Sequence, residues 1–292
     1  MEPQAETGEI MAVAKGAGRT VSLVVFIIVA LASGWLGVGL DSLLTDQPEG
    51  GTLGMALWLM LPFLTMLVLR AVGRDWSGIG IKPFFIRNLK WYLVSFVIYP
   101  VVTLLLVGLA LLTHSASLAD FDPKAFAQLA VYAMAGSLMK NIFEEFAWRG
   151  YLTPKLIEQG LADWLVYVLS GLVWALWHAA YYLVFLPDIY FESVSRSGML
   201  LSGCLFLIGS AAMYVEMYRL TGSVWPCVVM HSVHAGVPAA LMAPGRAITF
   251  TGLGGFWLNP LTGAVAAALF FGIGLWLRAK RIRQEQGRGL FG

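Results

Sequence analysis

The sequence predicts an all-α protein, a polytopic transmembrane bundle of about eight helices. Of its 292 residues, 59% are hydrophobic and only 12% are charged, and the mean hydropathy is +0.76. This composition leaves too few charged side chains to cover the surface of a water-soluble domain. The net charge of +2, with basic residues dispersed along the chain, also argues against nucleic acid as a partner.

Eight apolar runs are long enough to cross a bilayer as helices, which takes about 20 residues each. They cover residues 20–40, 53–73, 91–113, 125–149, 163–186, 199–218, 224–243 and 261–278. The segments between the runs are too short to fold independently, so the sequence predicts one membrane domain over residues 20–278. A cytoplasmic segment at 1–19 and a basic cytoplasmic tail at 279–292 are expected to flank it.

The distribution of Lys and Arg predicts the orientation of the chain. With the N-terminus inside, fourteen of the 19 Lys and Arg residues fall in cytoplasmic segments, and three fall in outer loops, at Lys124, Arg196 and Arg246. Because positive charge favours the cytoplasmic side, both termini are predicted to lie in the cytoplasm of a multi-pass cell-membrane protein. The lipid bilayer is therefore an expected partner.

The fourth run carries four ionisable residues within ten positions, Lys140, Glu144, Glu145 and Arg149. A charge near the bilayer centre costs at least about 2.5 kcal/mol, so such residues need partners and are candidates for function. Helical spacing places Lys140 one turn before Glu144, and Glu145 one turn before Arg149. Glu144 and Glu145 are about 100° apart around the axis, so one is expected to be structural and the other reactive.

Three of the four histidines, His178, His231 and His234, also lie inside predicted spans. A single membrane histidine is commonly a packing residue, but three of them beside a carboxylate pair predict a site built from facing helices. A glutamate with two histidines forms either a zinc-type ligand set or an acid–base set, and the residues alone leave both open.

Three short motifs in this region resemble those of a known family in their order and spacing. In chain order they are Glu144-Glu145-x-x-x-Arg149, Trp174-x-x-x-His178, and the run from Thr221 to Pro226 that leads to His231. They are similar to the motifs of the CPBP intramembrane proteases, which include the type II CAAX prenyl endopeptidases and the bacterial abortive-infection (ABI) proteins. The resemblance covers about residues 125–240.

The resemblance implies an intramembrane endopeptidase in which Glu144 and His178 activate the attacking water and His231 holds the oxyanion. Glu145 and Arg149 would form an ion pair that fixes the helix. The resemblance permits Zn²⁺ bound by Glu144, His178 and His231, and a metal-free glutamate mechanism is the alternative. The expected substrate is a peptide or membrane protein. Nothing in the sequence encodes a preference for a prenyl group or predicts an oligomeric state.

Two positions depart from the family pattern. Trp174 stands where the family has Phe, which is a conservative aromatic change. Ala235 stands where the family has Asn, and losing one oxyanion donor costs about 10²–10³ in rate. His234, three residues after His231, is expected either to supply the missing donor or to be a packing residue.

Two other functions are therefore weighed against the protease. One is a catalytically weakened membrane scaffold or immunity factor with the same fold. The other, less favoured, is a proton-coupled transporter, because ionisable residues inside a membrane also build proton relays.

Overall fold

The computed structural model describes residues 3–48, 50–119, 121–191, 194–242 and 247–289, and α-helices dominate it. In chain order the helices are α1 (Pro3–Asp41), α2 (Leu53–Gly73), α3 (Phe85–Leu112), α4 (Pro123–Ala147), α5 (Thr153–Glu158), α6 (Asp163–Trp177), α7 (Arg196–Thr221), α8 (Trp225–Met242), α9 (Gly254–Leu258) and α10 (Ala264–Gly289). Arg246, counted above among the outer-loop cations, lies outside the described residues, as do 1–2 and 290–292 of the two predicted terminal segments.

Within the residues that the structure describes, five segments are long and apolar enough to cross a membrane by length and composition. They are Gly18–Asp41, Leu53–Gly73, Phe85–Leu112, Asp163–Phe185 and Arg196–Thr221. They coincide with the first, second, third, fifth and sixth predicted spans. The other three predicted spans form α4, α8 and α10, which are helical but contain more charged residues or histidines. The prediction of an all-α membrane helix bundle is confirmed.

A small sheet joins two loops at one end of the bundle. Strand β1 (Ala116–Leu118) pairs antiparallel with β2 (Ile248–Phe250), and Ala116 lies opposite Phe250. The sequence did not predict this sheet, because three-residue strands are too short to show an alternating pattern.

The other end of the bundle, called here the basic end, holds the start of the α1 span and the second half of α10. Arg19 of α1 lies 3.9 Å from Glu158 of α5. Arg278 of α10 lies 2.6 Å from Asp163 at the start of α6. These parts of α1 and α10 therefore lie on one side, which agrees with termini on the same side of the membrane. Which side faces the cytoplasm stays a prediction.

Helix packing brings the motif-bearing helices together. Helix α4 packs against α8 and α2, and α6 packs against α7. Gly171 of α6 lies so close to α7 that a Cβ there would be 2.7 Å from the Cα of Ile208. The approach sets Trp174, nearly one turn later, against Tyr214, with ring centroids 5.3 Å apart. A larger residue at position 171 would push α6 away from α7 and shift Trp174.

The end of α4 is fixed by a buried arginine from α2. After Ala147 the chain continues as a buried π-helical turn, Trp148–Leu152, an irregularity often found at functional sites. Arg70 donates hydrogen bonds to the carbonyl of Gly150 in this turn, and to the carbonyls of Asp75 (2.8 Å) and Ser77 (2.9 Å). Its guanidinium therefore links α2, the following loop and the end of α4.

Candidate active site

The indole of Trp174 on α6 is the point at which the three motifs meet. Its Nε1 donates a hydrogen bond to Glu144 Oε2 on α4, at 3.3 Å. Its ring centroid is 5.7 Å from the His231 ring on α8 and 6.2 Å from the His178 ring, which follows α6 directly. Segments far apart in the sequence thus place a carboxylate and two imidazoles around one buried side chain. The name cluster around Trp174 is used here for Trp174 with Glu144, Glu145, Arg149, His178 and His231.

Glu144 is buried but has a cationic partner on its own helix. The Lys140 ammonium lies 2.7 Å from Glu144 Oε1, as the i, i+4 spacing predicted. The Glu144 side chain is 1% exposed, whereas the Lys140 side chain is 36% exposed. The Lys140 ammonium is partly exposed and offsets the charge of the buried Glu144 carboxylate. An ionised Glu144 can therefore be accommodated inside the bundle.

Glu145 faces a different set of partners, as the angle between adjacent helical residues predicted. Arg149 Nη1 lies 3.0 Å from Glu145 Oε1, which confirms the expected intrahelical pair. The same oxygen lies 2.8 Å from His231 Nδ1 on α8, a contact that the sequence did not predict. Glu145 therefore links Arg149 to His231, and all three residues are buried.

The Arg149 guanidinium is held between two aromatic rings. Its central carbon lies 4.3 Å from the ring centroid of Trp174 and 4.3 Å from that of Tyr214. Buried cation–π contacts of this kind are worth about 2 kcal/mol when desolvated. Trp174 therefore contacts Glu144 directly, and it also contacts Arg149, the partner of Glu145.

Both histidines of the cluster are bound through Nδ1. His231 Nδ1 contacts the Glu145 carboxylate, which accepts, so this nitrogen carries the proton. His178 Nδ1 lies 2.9 Å from the carbonyl of Trp174, which also accepts. In each neutral ring Nε2 is then the atom with a free lone pair, able to accept a hydrogen bond from water.

His234 lies outside this cluster. Its ring stacks on Phe206, with centroids 5.2 Å apart, and on Tyr99, with centroids 4.6 Å apart. The His231 and His234 rings are 6.3 Å apart. Of the two expectations for His234, the structure favours packing, and Ala235 offers no donor in place of the family Asn.

A buried carboxamide, Asn141, lies one turn before Glu145 on α4. Its Nδ2 donates to the hydroxyls of Ser137 and Ser232, at 3.2 and 3.0 Å, and its Oδ1 has no hydrogen-bond partner in the described part of the chain. The sequence-based prediction of the site did not include Asn141. Its position inside a predicted span, one turn from an acid pair, could have indicated a role in the site.

The expected zinc ligands surround Trp174 but are not placed to share one metal ion. Within the described residues, no group of three His, Cys, Asp or Glu side chains is placed to hold one metal ion. Glu144 contacts Lys140 and Trp174, while His231 contacts Glu145. The donors as placed do not fit a three-ligand site, and no step below involves a metal.

A second buried charge cluster, called here the arginine network, lies near the basic end. Glu216 of α7 is fully buried and accepts from Tyr167 at 2.5 Å and from Arg281 at 2.6 Å. Asp163 of α6 accepts from Arg219 at 2.6 Å and from Arg278 at 2.6 Å. The arginine network was not predicted from the sequence, although Glu216 lies inside the sixth predicted span.

Comparison with known proteins agrees with the motif region. Residues 125–237 match the family model described as Rce1-like, type II CAAX prenyl endopeptidase, a family of CAAX-type intramembrane proteases. The matched segment contains all three motifs and every residue of the cluster around Trp174. No curated protein matches the chain. The family match confirms the resemblance predicted from the motifs: over residues 125–237 this chain is similar to the Rce1-like type II CAAX prenyl endopeptidases.

Proposed function

We propose that this protein is an intramembrane endopeptidase that hydrolyses a peptide bond in a membrane-associated protein or peptide. The family match supports a protease. The observation that carries the proposal is the position of Trp174, which contacts Glu144 and lies beside the rings of both His178 and His231. A carboxylate and two imidazoles around one point are the groups that water-mediated hydrolysis needs.

Glu144 acts as the general base and then as the general acid. Its carboxylate takes a proton from a water molecule as the water oxygen attacks the carbonyl carbon of the substrate. It then gives that proton to the leaving nitrogen as the C–N bond breaks, which releases a carboxylic acid and an amine. Lys140 at 2.7 Å keeps the carboxylate in the ionised form that can accept the proton.

His231 stabilises the oxyanion that forms on the carbonyl oxygen. Its Nδ1–H is held by Glu145, and when the imidazole carries a second proton its Nε2–H donates to the oxyanion. Glu145 and Arg149 are positioning residues, since they act through His231. This arrangement provides one oxyanion donor without the Asn that Ala235 replaces.

His178 orients the attacking water. Its Nδ1 bond to the Trp174 carbonyl fixes the ring, and Nε2 accepts a hydrogen bond from the water that Glu144 deprotonates. The ring is half-buried and lies 5.7 Å from that of Tyr182 in a stacked arrangement. Water reaches the site on the side where Lys140 and His178 retain exposed surface, because a partly exposed ammonium within a membrane helix needs water around it.

The test compares membranes that contain the wild-type protein with membranes that contain the Glu144→Gln protein. Mass spectrometry of peptide termini will detect new protein ends that depend on Glu144, whatever the natural substrate is. Purified protein is then assayed with a quenched fluorescent CAAX peptide, with and without a farnesyl group. We expect Glu144→Gln and His178→Ala to lower cleavage about 10²–10⁴-fold, the usual contribution of a general acid–base group.

Glu285→Gln is the matched control, since Glu285 is exposed and belongs neither to the three motifs nor to the cluster around Trp174. It is expected to leave cleavage unchanged. Identical sets of termini with wild-type and Glu144→Gln protein, together with undiminished peptide cleavage in both variants, would overturn the proposal.

Ala235 favours one second candidate, a membrane scaffold or immunity factor with weakened chemistry. In that case the Glu144→Gln protein would complement a gene deletion as well as the wild type does, and the termini would not differ. The same variant therefore separates the two candidates.

A further inference from the structure

A cavity of about 640 Å³ opens at the basic end, between the start of α3, the end of α7 and the second half of α10. We call it the basic cavity. The residues of its wall that matter here are Arg87, Lys90, Trp91, Val94, Trp276 and Lys280. None of these six belongs to the three motifs or to the cluster around Trp174, although the wall also includes Thr221 and Gly222 from the run that leads to His231.

The basic cavity carries positive charge that the protein leaves unpaired. Arg87, Lys90 and Lys280 are exposed, and none forms a salt bridge with any described residue. A fourth cation in the wall, Arg219, is paired with Asp163. Within the described part of the chain no Asp or Glu lines the cavity. Three facing cations without an acid form a site for an anion.

The carbonyl groups at the end of α7 do not oppose an anion here. Arg87 Nη2 and Asn88 Nδ2 both donate to the carbonyl of Thr221, at 2.8 and 3.1 Å. The negative end of the α7 dipole is therefore covered by a cation and an amide. Two residues of the wall, Arg87 and Asn88, lie in the first turn of α3, the positive end of a 28-residue helix.

Two tryptophans mark the depth of the cavity in the membrane. The Trp91 and Trp276 rings lie 6.1 Å apart, edge to face. Lys90 Nζ lies 5.0 Å from the Trp91 ring centroid, and Lys280 Nζ lies 5.7 Å from that of Trp276. Indole rings below a layer of cations are typical of the boundary between lipid headgroups and hydrocarbon.

Apolar side chains continue the surface away from the cations. Two turns further along the same face of α3 Val101 and Leu105 are exposed, and on the cavity face of α10 Ile273 and Leu269 are half-buried. The order from the basic end is therefore cations, then tryptophans, then aliphatic side chains. This order matches the phosphate, glycerol and acyl chains of a phospholipid.

We propose that the basic cavity binds one anionic glycerophospholipid of the adjacent leaflet, its phosphate held by Arg87, Lys90 and Lys280 and its chains lying along α3 and α10. Basic pockets between membrane helices are a known way of holding such headgroups. The site is independent of the proposed protease activity.

Native mass spectrometry of the purified full chain in detergent, titrated with phosphatidylglycerol or phosphatidylcholine, tests this site. We expect one tightly held phosphatidylglycerol and no comparable binding of phosphatidylcholine. A Lys or Arg near a headgroup contributes roughly fivefold in affinity, so Arg87→Gln/Lys90→Gln/Lys280→Gln is expected to lower the affinity about 100-fold. The matched control, Arg74→Gln/Lys82→Gln/Arg283→Gln, loses the same charge at exposed positions outside the cavity and is expected to keep the affinity.

Equal losses in the two triple variants would overturn the site in favour of diffuse attraction to the basic end. Displacement of phosphatidylglycerol by inorganic phosphate or glycerol phosphate at similar concentrations would overturn it in favour of a soluble anion. If the triple variant does not fold, Lys280→Gln against Arg283→Gln gives the same comparison, with a fivefold loss expected only for Lys280→Gln.

Discussion

The cluster around Trp174 and the arginine network both bury acids and arginines inside the bundle, yet their hydrogen bonding differs. In the arginine network, both Glu216 oxygens and both Asp163 oxygens accept from arginines. In the cluster around Trp174, Glu145 Oε2 and two Arg149 nitrogens have no hydrogen-bond partner among the described residues. Every carboxylate oxygen of the two acids in the arginine network is thus bonded, whereas the cluster around Trp174 contains buried polar atoms without a partner in the described part of the chain.

The difference separates a structural group of charges from a reactive one. The arginine network joins three helices, α6, α7 and α10, so its ion pairs fix those helices relative to each other. The acids around Trp174 pair mainly with bases on their own helix, Lys140 and Arg149. Both histidines are bound through Nδ1, and their Nε2 atoms have no hydrogen-bond partner among the residues that the structure describes. A site that binds water and substrate needs such free donors and acceptors.

The largest effect on stability is expected in the arginine network. Glu216→Ala leaves Tyr167 without its acceptor and removes the one fully buried carboxylate that Arg281 contacts among the described residues, and breaking a buried ion pair costs about 3–5 kcal/mol. Thermal unfolding in detergent measures this loss. Glu285→Ala, which removes an exposed partner of the same Arg281, is expected to cost less than about 1 kcal/mol. Equal losses in the two variants would contradict the structural role assigned to the buried Glu216.

A smaller effect is expected from the indole that joins the motifs. Trp174→Phe keeps an aromatic ring but removes the hydrogen bond to Glu144, and a bond to a charged group is worth about 1.5 kcal/mol. We expect kcat of peptide cleavage to fall about tenfold, with KM and the thermal unfolding temperature nearly unchanged. A change in KM with kcat unchanged would mean that Trp174 serves substrate packing rather than Glu144.

The smallest effect concerns an ion pair outside the membrane-spanning segments. The hydrogen bond from Lys155, with help from Ser77, holds the pKa of Asp75 well below its ordinary value. A lowered folded-state pKa means that the pair stabilises the protein fully above the unfolded value of about 3.9 and loses this contribution as the pH falls below it. The side chain of Asp75 is 35% exposed, so the contribution is less than about 1 kcal/mol.

Unfolding measured from pH 6 to pH 3 checks this prediction. We expect Asp75→Asn to lower stability slightly at pH 6, and we expect its difference from the wild type to be smaller at pH 3, because the contribution decreases as the pH falls from about 3.9 towards the folded-state pKa. A loss that is larger at pH 3 than at pH 6 would contradict the sign of the argument.

The membrane helices and the two intrahelical ion pairs of the site could be predicted from the sequence because they depend on local helical geometry. Apolar length predicted the membrane helices. The spacing of four residues predicted the Lys140–Glu144 and Glu145–Arg149 pairs, since neighbours on a helix face are fixed by its pitch. The same geometry predicted that the two adjacent acids face different partners.

The contacts between helices were not readable in this way. His231 and Glu145 are 86 positions apart, and their pairing depends on how α8 packs on α4. For Trp174 the sequence indicated only a conservative aromatic change. Its hydrogen bond to Glu144 could not be predicted, because the bond depends on how closely α6 approaches the neighbouring helices. Glu216 obeyed the rule that charged residues in spans need partners, but its partners come from other turns and helices.

The most direct test of the central claim, that motif residues from separate helices act as one site, is a double-mutant cycle on peptide cleavage. Glu145→Gln, His231→Ala and the double variant are compared with the wild type, and Glu145→Gln combined with Glu285→Gln serves as an independent pair. If Glu145 acts through His231, the double variant will be no more than about threefold slower than the slower single variant, because residues that act as a unit are not additive. A double variant whose loss equals the product of the two single losses would contradict the account.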